Sequence, residues 1–191
     1  DTTSTTFWGN LANTSPNYFP YIHLMDDDAQ EYTAGIADET DNYIRMHAAN
    51  LHHWQPDPFR NPQNAEITDN NWTETWERIA AMNSIIFQLG EISIGEDEQE
   101  MARKVEGEAR FLRAQFYFWL ANVYGQPYRK ESATTDLCIP LKTTEEVEDR
   151  YFSRATAEEV YGLMVEDLTR AAECLRGISQ TTKYRTNQAA A

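Results

Sequence analysis

Residues 97–128 read DEQEMARKVEGEARFLRAQFYFWLANVYGQPY, and this stretch decides the architecture. Val105, Ala109, Leu112, Phe116, Leu120 and Val123 recur at steps of four, three, four, four and three, an apolar stripe with the 3.6-residue helical period. Phe111, Tyr117, Phe118 and Trp119 add apolar surface on the other faces of the second half, which predicts burial there on several sides. The first half is charged. Glu100 with Lys104 and Glu106 with Arg110 stand at i,i+4 in the favourable orientation, which predicts a solvated face. At 1.5 Å per residue the run spans roughly 40 Å, long enough to be the spine of a domain. Gly125 and Pro127 stop it.

Two further helices read outward from this spine. Residues 72–91 place Trp72, Trp76, Ile79, Asn83, Ile86 and Gly90 on one face, flanked by Ala80, Ile85 and Leu89, with Asn70 or Asn71 as the cap. The short turn Ile92–Glu96 then predicts an antiparallel hairpin with the spine. Thr156-Ala157-Glu158-Glu159 is a capping box, and it opens a helix carrying Val160, Leu163, Met164, Leu168, Ala171 and Leu175 on one face, closed by Gly177. Thr186 is the N-cap expected for a further helix that starts at the end of the chain. The two starts are roughly 30 residues apart, close to the helix-pair spacing of a tetratricopeptide repeat. Residues 1–67 are rich in Asn, Asp, Thr and Pro and read as loops, with the apolar run Tyr18–Met25 leading to a helix start at Asp26–Asp28. The expected fold is all-α, built of tetratricopeptide-like helix hairpins in one domain over 1–191. Its parts are a loop-rich segment 1–67, a hairpin 68–128, a connection 129–153 and a second, truncated helix pair 154–191.

Composition removes several classes of function. The net charge is −15, with no cluster of Lys and Arg, whereas nucleic acid or an anionic membrane surface needs a basic patch. No run of 18 apolar residues occurs. Cys138 and Cys174 stand far from each other and from any His, so they read as two buried thiols in preference to a disulfide. There is no G-x-S-x-G, P-loop, H-E-x-x-H or dinucleotide fingerprint, so no catalytic residue and no cofactor is expected. With 31 acidic residues, a chosen carboxylate pair carries no information about glycoside hydrolysis. His47, His52 and His53 cluster near Asp57, but adjacent histidines cannot easily converge on one ion, so no metal site is expected. Asp26–Asp28 lacks the alternate spacing of a calcium loop and reads as a helix start.

One loop stands apart. Leu51-His52-His53-Trp54-Gln55-Pro56-Asp57-Pro58-Phe59-Arg60 sets two aromatic rings among polar groups on a segment stiffened by prolines. Sugar recognition uses this combination: a ring face against the C–H face of a pyranose, with carboxylate, amide and guanidinium groups on the hydroxyls. His53, Trp54, Asp57, Phe59 and Arg60 are the candidate ligand contacts. The other reading, a surface loop whose Trp and Phe tuck onto the helices, stays open.

Glu108-Ala109-Arg110-Phe111-Leu112-Arg113-Ala114, the aromatic run after it and Tyr124-Gly125-Gln126-Pro127 resemble the signature helix of the SusD/RagB family of outer-membrane nutrient-binding lipoproteins. Leu24–Asp28, the Trp76/Ile79/Asn83 helix, Cys138-Ile139-Pro140-Leu141, and Arg154–Thr156 with Val160-Tyr161, Asp167-Leu168 and Ala171 are similar to the family in the same order. The corner at Gly125-Gln126-Pro127 is one residue shorter than the family's Gly-x-x-Pro. The resemblance runs from about Tyr21 onward and implies the N-terminal portion of a longer, non-catalytic cell-surface receptor on the extracellular face of the outer membrane. Such a receptor is tethered by an N-terminal lipid that this chain does not carry. It captures an oligosaccharide and delivers it to a TonB-dependent transporter of the SusC type. A peptide-binding member of the family and a tetratricopeptide scaffold for protein–protein contacts are the alternatives.

Overall fold

The structure of the chain, a computed structural model, describes residues 25, 27, 50–60, 63–66, 69–180 and 185–191. The expected run Tyr18–Asp28 lies outside the described residues apart from Met25 and Asp27, and so does His47. The chain divides into two compact units, Asp1–Glu74 and Thr75–Ala191.

Helix α1 spans Asn70–Glu91. Its cap is Asp69, whose Oδ1 accepts the Trp72 amide at 3.2 Å, in place of the expected Asn70 or Asn71. The buried positions Asn71, Thr75, Ile79 and Asn83 follow one another at i,i+4. This line is rotated from the expected face: Trp72 and Trp76 are half-buried and Gly90 is exposed. The cause is that the line through Thr75 and Asn83 carries buried polar side chains, which an apolar pattern does not register.

Helix α2, Gln99–Tyr124, is the expected spine. Ala109, Phe116 and Leu120 of the apolar stripe are buried, while Val105, Leu112 and Val123 are half-buried and Phe118 is exposed. The large side chains of α2 with no exposed surface are Tyr117 and Leu120, and Arg113, one turn before Tyr117, is buried beside them. Gly125 ends the helix, its amide donating to the Ala121 carbonyl at 2.9 Å. Glycine is required there by close approach, since a Cβ would stand 2.5 Å from Cys138 Sγ.

The connection 129–153 holds structure that the sequence pattern does not predict. Strand β1, Leu137–Pro140, pairs antiparallel with β2, Arg154–Thr156, with an irregularity between Leu137 and Pro140. Cys138 and Ile139 are both buried, and β1 packs against α2 and the following helix. Helix α3, Ala157–Cys174, opens with the expected capping box: the Glu159 amide donates to Thr156 Oγ1, and the Thr156 amide donates to Glu159 Oε2 at 2.8 Å. Val160, Met164, Ala171 and Leu175 are buried as expected. Gly177 turns the chain after it with φ +75°. Residues 188–190 form a turn and no helix, and Asn187, in place of the expected Thr186, accepts the Ala190 amide on Oδ1 at 3.0 Å.

Trp76 meets Tyr117 edge-on at 5.8 Å and Asn83 meets Arg113, so α1 and α2 form the expected antiparallel hairpin. Arg113 and Asp167, with Glu106 and Arg170, pair α2 with α3 antiparallel as well. The two helices touch at Gly107, where a Cβ would lie 2.7 Å from Leu175 Cγ. The fold is therefore all-α in its frame, with tetratricopeptide-like hairpins and one small β ribbon. Cys138 and Cys174 are free, buried thiols, and burial pushes both above the ordinary thiol range.

Candidate functional site

The densest cluster of charged side chains sits inside the second unit. Asp167, fully buried, accepts Arg113 Nε on Oδ2 at 2.7 Å and Arg113 Nη2 on Oδ1 at 2.7 Å, and Arg110 Nη1 adds a third bond at 3.1 Å. Arg113 Nη1 donates onward to Asn83 Oδ1 at 2.9 Å. Asn83 Nδ2 donates to the Lys142 and Thr144 carbonyls, and the Tyr117 hydroxyl donates to the Lys142 carbonyl while accepting the Lys142 amide. At the α2–α3 edge Glu106 takes bonds from Arg110 and Arg170 and from the Cys174 thiol. Burial alone would raise the Glu106 carboxyl, but the two guanidinium groups outweigh it and hold it below its ordinary range. Hence the Glu106–Arg110 pair, expected on a solvated face, is half-buried and part of a packed network.

This network has the residue types of an active site without the access. Asp167 and Tyr117 have no exposed surface, and each polar group named above already has a protein partner. It ties three helices and the middle of the connection into one frame. Among the described residues no group of three His, Cys, Asp or Glu side chains is placed to hold a metal ion.

The candidate ligand loop lies in the first unit and is built differently. Residues 50–52 are helical. The Gln55 amide donates to the Asn50 carbonyl at 2.9 Å and the Trp54 amide to the Leu51 carbonyl at 3.0 Å, the paired bonds of a Schellman cap. In that cap the residue before the last takes a left-handed conformation and is usually glycine. Here it is Trp54, at φ +51° and 68 % exposed. A bulky side chain in that region costs about 1–2 kcal/mol. The backbone thus accepts strain in an arrangement that leaves the indole in solvent.

The far side of the loop is closed by Arg60. Its Nε donates to Asp57 Oδ2 and its Nη1 to the Asn64 carbonyl at 2.9 Å, while Nη2 stands 3.9 Å from Glu66 Oε1. Arg60 also forms a β-bridge with Glu66, and the Asn50 side-chain amide reaches the Pro58 and Arg60 carbonyls. Of the five candidate contacts, His53, Trp54 and Asp57 are exposed, Phe59 and Arg60 are half-buried, and the structure brings Asp57 and Arg60 directly together.

A family model described as SusD-like, starch-binding and associating with the outer membrane, matches residues 21–191. The chain belongs to this SusD-like family. No curated protein matches it. Solved structures share the fold. A Bacteroides vulgatus protein named for sugar binding aligns with 97 % of the chain at 21 % identity and a TM-score of 0.65, over 38 % of its own length. A SusD superfamily protein from Bacteroides fragilis aligns with 79 % at 23 % identity and 0.58, over 33 % of its length. A laminarin-binding SusD-like protein aligns with 74 % at 20 % identity and 0.55, over 27 % of its length. The chain thus spans a minor part of each of these structures. Association with the outer membrane is a property of the SusD-like family, and no helix among the described residues is long and apolar enough to cross a membrane.

The buried network of this SusD-like chain escaped the sequence reading. One signal for it was available: Asp167 interrupts the apolar stripe of α3 between Met164 and Ala171, and Arg113 stands one turn from Tyr117 on the spine. Opposite charges in the apolar faces of two helices predict a pair across their interface.

Proposed function

We propose that this chain is a non-catalytic, oligosaccharide-binding part of an outer-membrane nutrient receptor, with Trp54 as the stacking platform and His53, Asp57, Phe59 and Arg60 around it. One observation carries the reading. A tryptophan occupies the left-handed position of a Schellman cap, where glycine would be unstrained, and its ring is left in water. A flat amphipathic ring held out beside hydroxyl-bonding groups suits the C–H face of a sugar. The family description and the laminarin-binding relative support a glucan as ligand, and outer-membrane association supports delivery of that glycan to a TonB-dependent transporter. A scaffold built only of repeats is less well supported, because the connection forms a β ribbon and is bonded to Asn83 and Tyr117.

The test is Trp54→Gly. This substitution relieves the cap and is expected to raise unfolding stability by about 1 kcal/mol. It should also abolish binding in calorimetric titrations with laminari- and malto-oligosaccharides. If Trp54→Gly binds as the native chain does, the platform reading is wrong.

A further inference from the structure

The loop closure also bears on which glycans this site accepts. Arg60 is the one Lys or Arg between residues 50 and 66, and its guanidinium is hydrogen-bonded to the Asp57 carboxylate and the Asn64 carbonyl, with the Glu66 carboxylate 3.9 Å from Nη2. The group that would otherwise meet an acidic sugar is spent inside the loop. With Asp57 and Glu66 against Arg60 the closure carries one net negative charge, and the whole chain carries −15, a field that repels anions over the Debye length of about 8 Å. Trp54, by contrast, offers a face that does not discriminate by charge.

We infer that the site selects neutral saccharides and rejects those bearing uronate or sulfate, with Asp57 and Glu66 acting as a gate that keeps Arg60 occupied. This rests on Trp54 being the sugar platform. Arg60 is then a positioning residue that closes the loop, and it would be available to an anionic ligand only when its two carboxylates are neutralised. Asp57→Asn keeps an oxygen to accept the Arg60 Nε bond, and Glu66, on a side chain 87 % exposed, can change to Gln without a packing cost.

The experiment titrates the full chain, native and Asp57→Asn/Glu66→Gln, with laminari- and malto-oligosaccharides and with oligogalacturonides of matched length. The native chain is expected to bind the neutral series and to bind galacturonides at least about tenfold more weakly. In the double variant the galacturonide-to-neutral affinity ratio should rise about fivefold, the worth of one exposed ion pair. Glu66→Gln alone, which leaves the hydrogen-bonded closure intact, should move the ratio in the same direction and serves if the double variant fails to fold. Equal affinity of the native chain for galacturonides and neutral sugars overturns the selectivity and leaves the platform standing. A ratio unmoved by either variant overturns the gate. Binding of neither series by the native chain overturns the platform and the inference with it.

Discussion

Two Arg–Asp pairs divide the molecule between them. Arg113 and Asp167 meet inside the helical unit with side chains 6 % and 0 % exposed, whereas Arg60 and Asp57 meet at the surface with 38 % and 55 %. The residue types are the same and the hydrogen bonds similar, so the difference lies in what surrounds them. Asp167 is reached by two guanidinium groups, and Arg113 is bonded further to Asn83, so each buried charge has its desolvation offset by several bonds. Around Arg60 water can replace either partner at little cost. The first pair joins helices; the second shapes a loop.

Removing one buried partner should therefore have the largest effect. Asp167→Ala leaves Arg113 charged in the core and is expected to cost about 3–5 kcal/mol, read as the urea midpoint of tryptophan fluorescence. A loss below about 1 kcal/mol would mean that water already reaches the pair and that the two pairs are alike. Next comes Tyr117→Phe, which strips the Lys142 amide and carbonyl of a buried partner and should cost about 2 kcal/mol. It also has a pH signature. Burial pushes the Tyr117 hydroxyl up to about 12, because the phenolate would be desolvated, with smaller opposing contributions from the Lys142 backbone and Arg113. An acid whose folded value is raised favours folding while it is protonated, and above pH 10 the unfolded chain releases the proton first. Stability should fall between about pH 10 and 12, by roughly 2–3 kcal/mol from this group, and the Phe variant should lose that part of the alkaline limb. Native and variant chains with parallel alkaline limbs would remove Tyr117 from the account.

The same contrast explains what could be read in advance. α2 was legible because Gly125 and a 3.6-residue stripe are local signals, and the Thr156–Glu159 box located the start of α3 for the same reason. Asn83, Arg113 and Asp167 were illegible as a set: each looks polar alone, and only the approach of helices 54 positions apart in sequence makes them partners. The β ribbon was missed because two buried residues, Cys138 and Ile139, are too short a run to set a period, and Arg154–Thr156 reads first as the lead-in to a capping box. In the loop the prolines and aromatics were visible, but the φ of Trp54 was not. Nothing local marks a tryptophan as standing where a glycine belongs, and that backbone fact separates a displayed ring from a tucked one.

The smallest expected effect sharpens the comparison most. Arg60→Ala removes a bond to Asp57, one to the Asn64 carbonyl and the weak pairing with Glu66. Counting bonds alone, it resembles the loss of Arg113, yet the unfolding midpoint should shift by no more than about 1 kcal/mol, because its partners remain solvated. What should change is local. Without the guanidinium, residues 57–60 and 63–66 lose the contacts that Arg60 makes with Asp57, Asn64 and Glu66 and keep the Asn50 side chain and the bridge to Glu66, so their amides should exchange hydrogen faster while those of α2 and α3 stay as they were. A midpoint shift approaching that of Asp167→Ala would show that the loop is part of the cooperative core. Unchanged exchange at 57–60 and 63–66 would show that Arg60 closes nothing, leaving its guanidinium free for the ligand and removing the basis for a preference for neutral sugars.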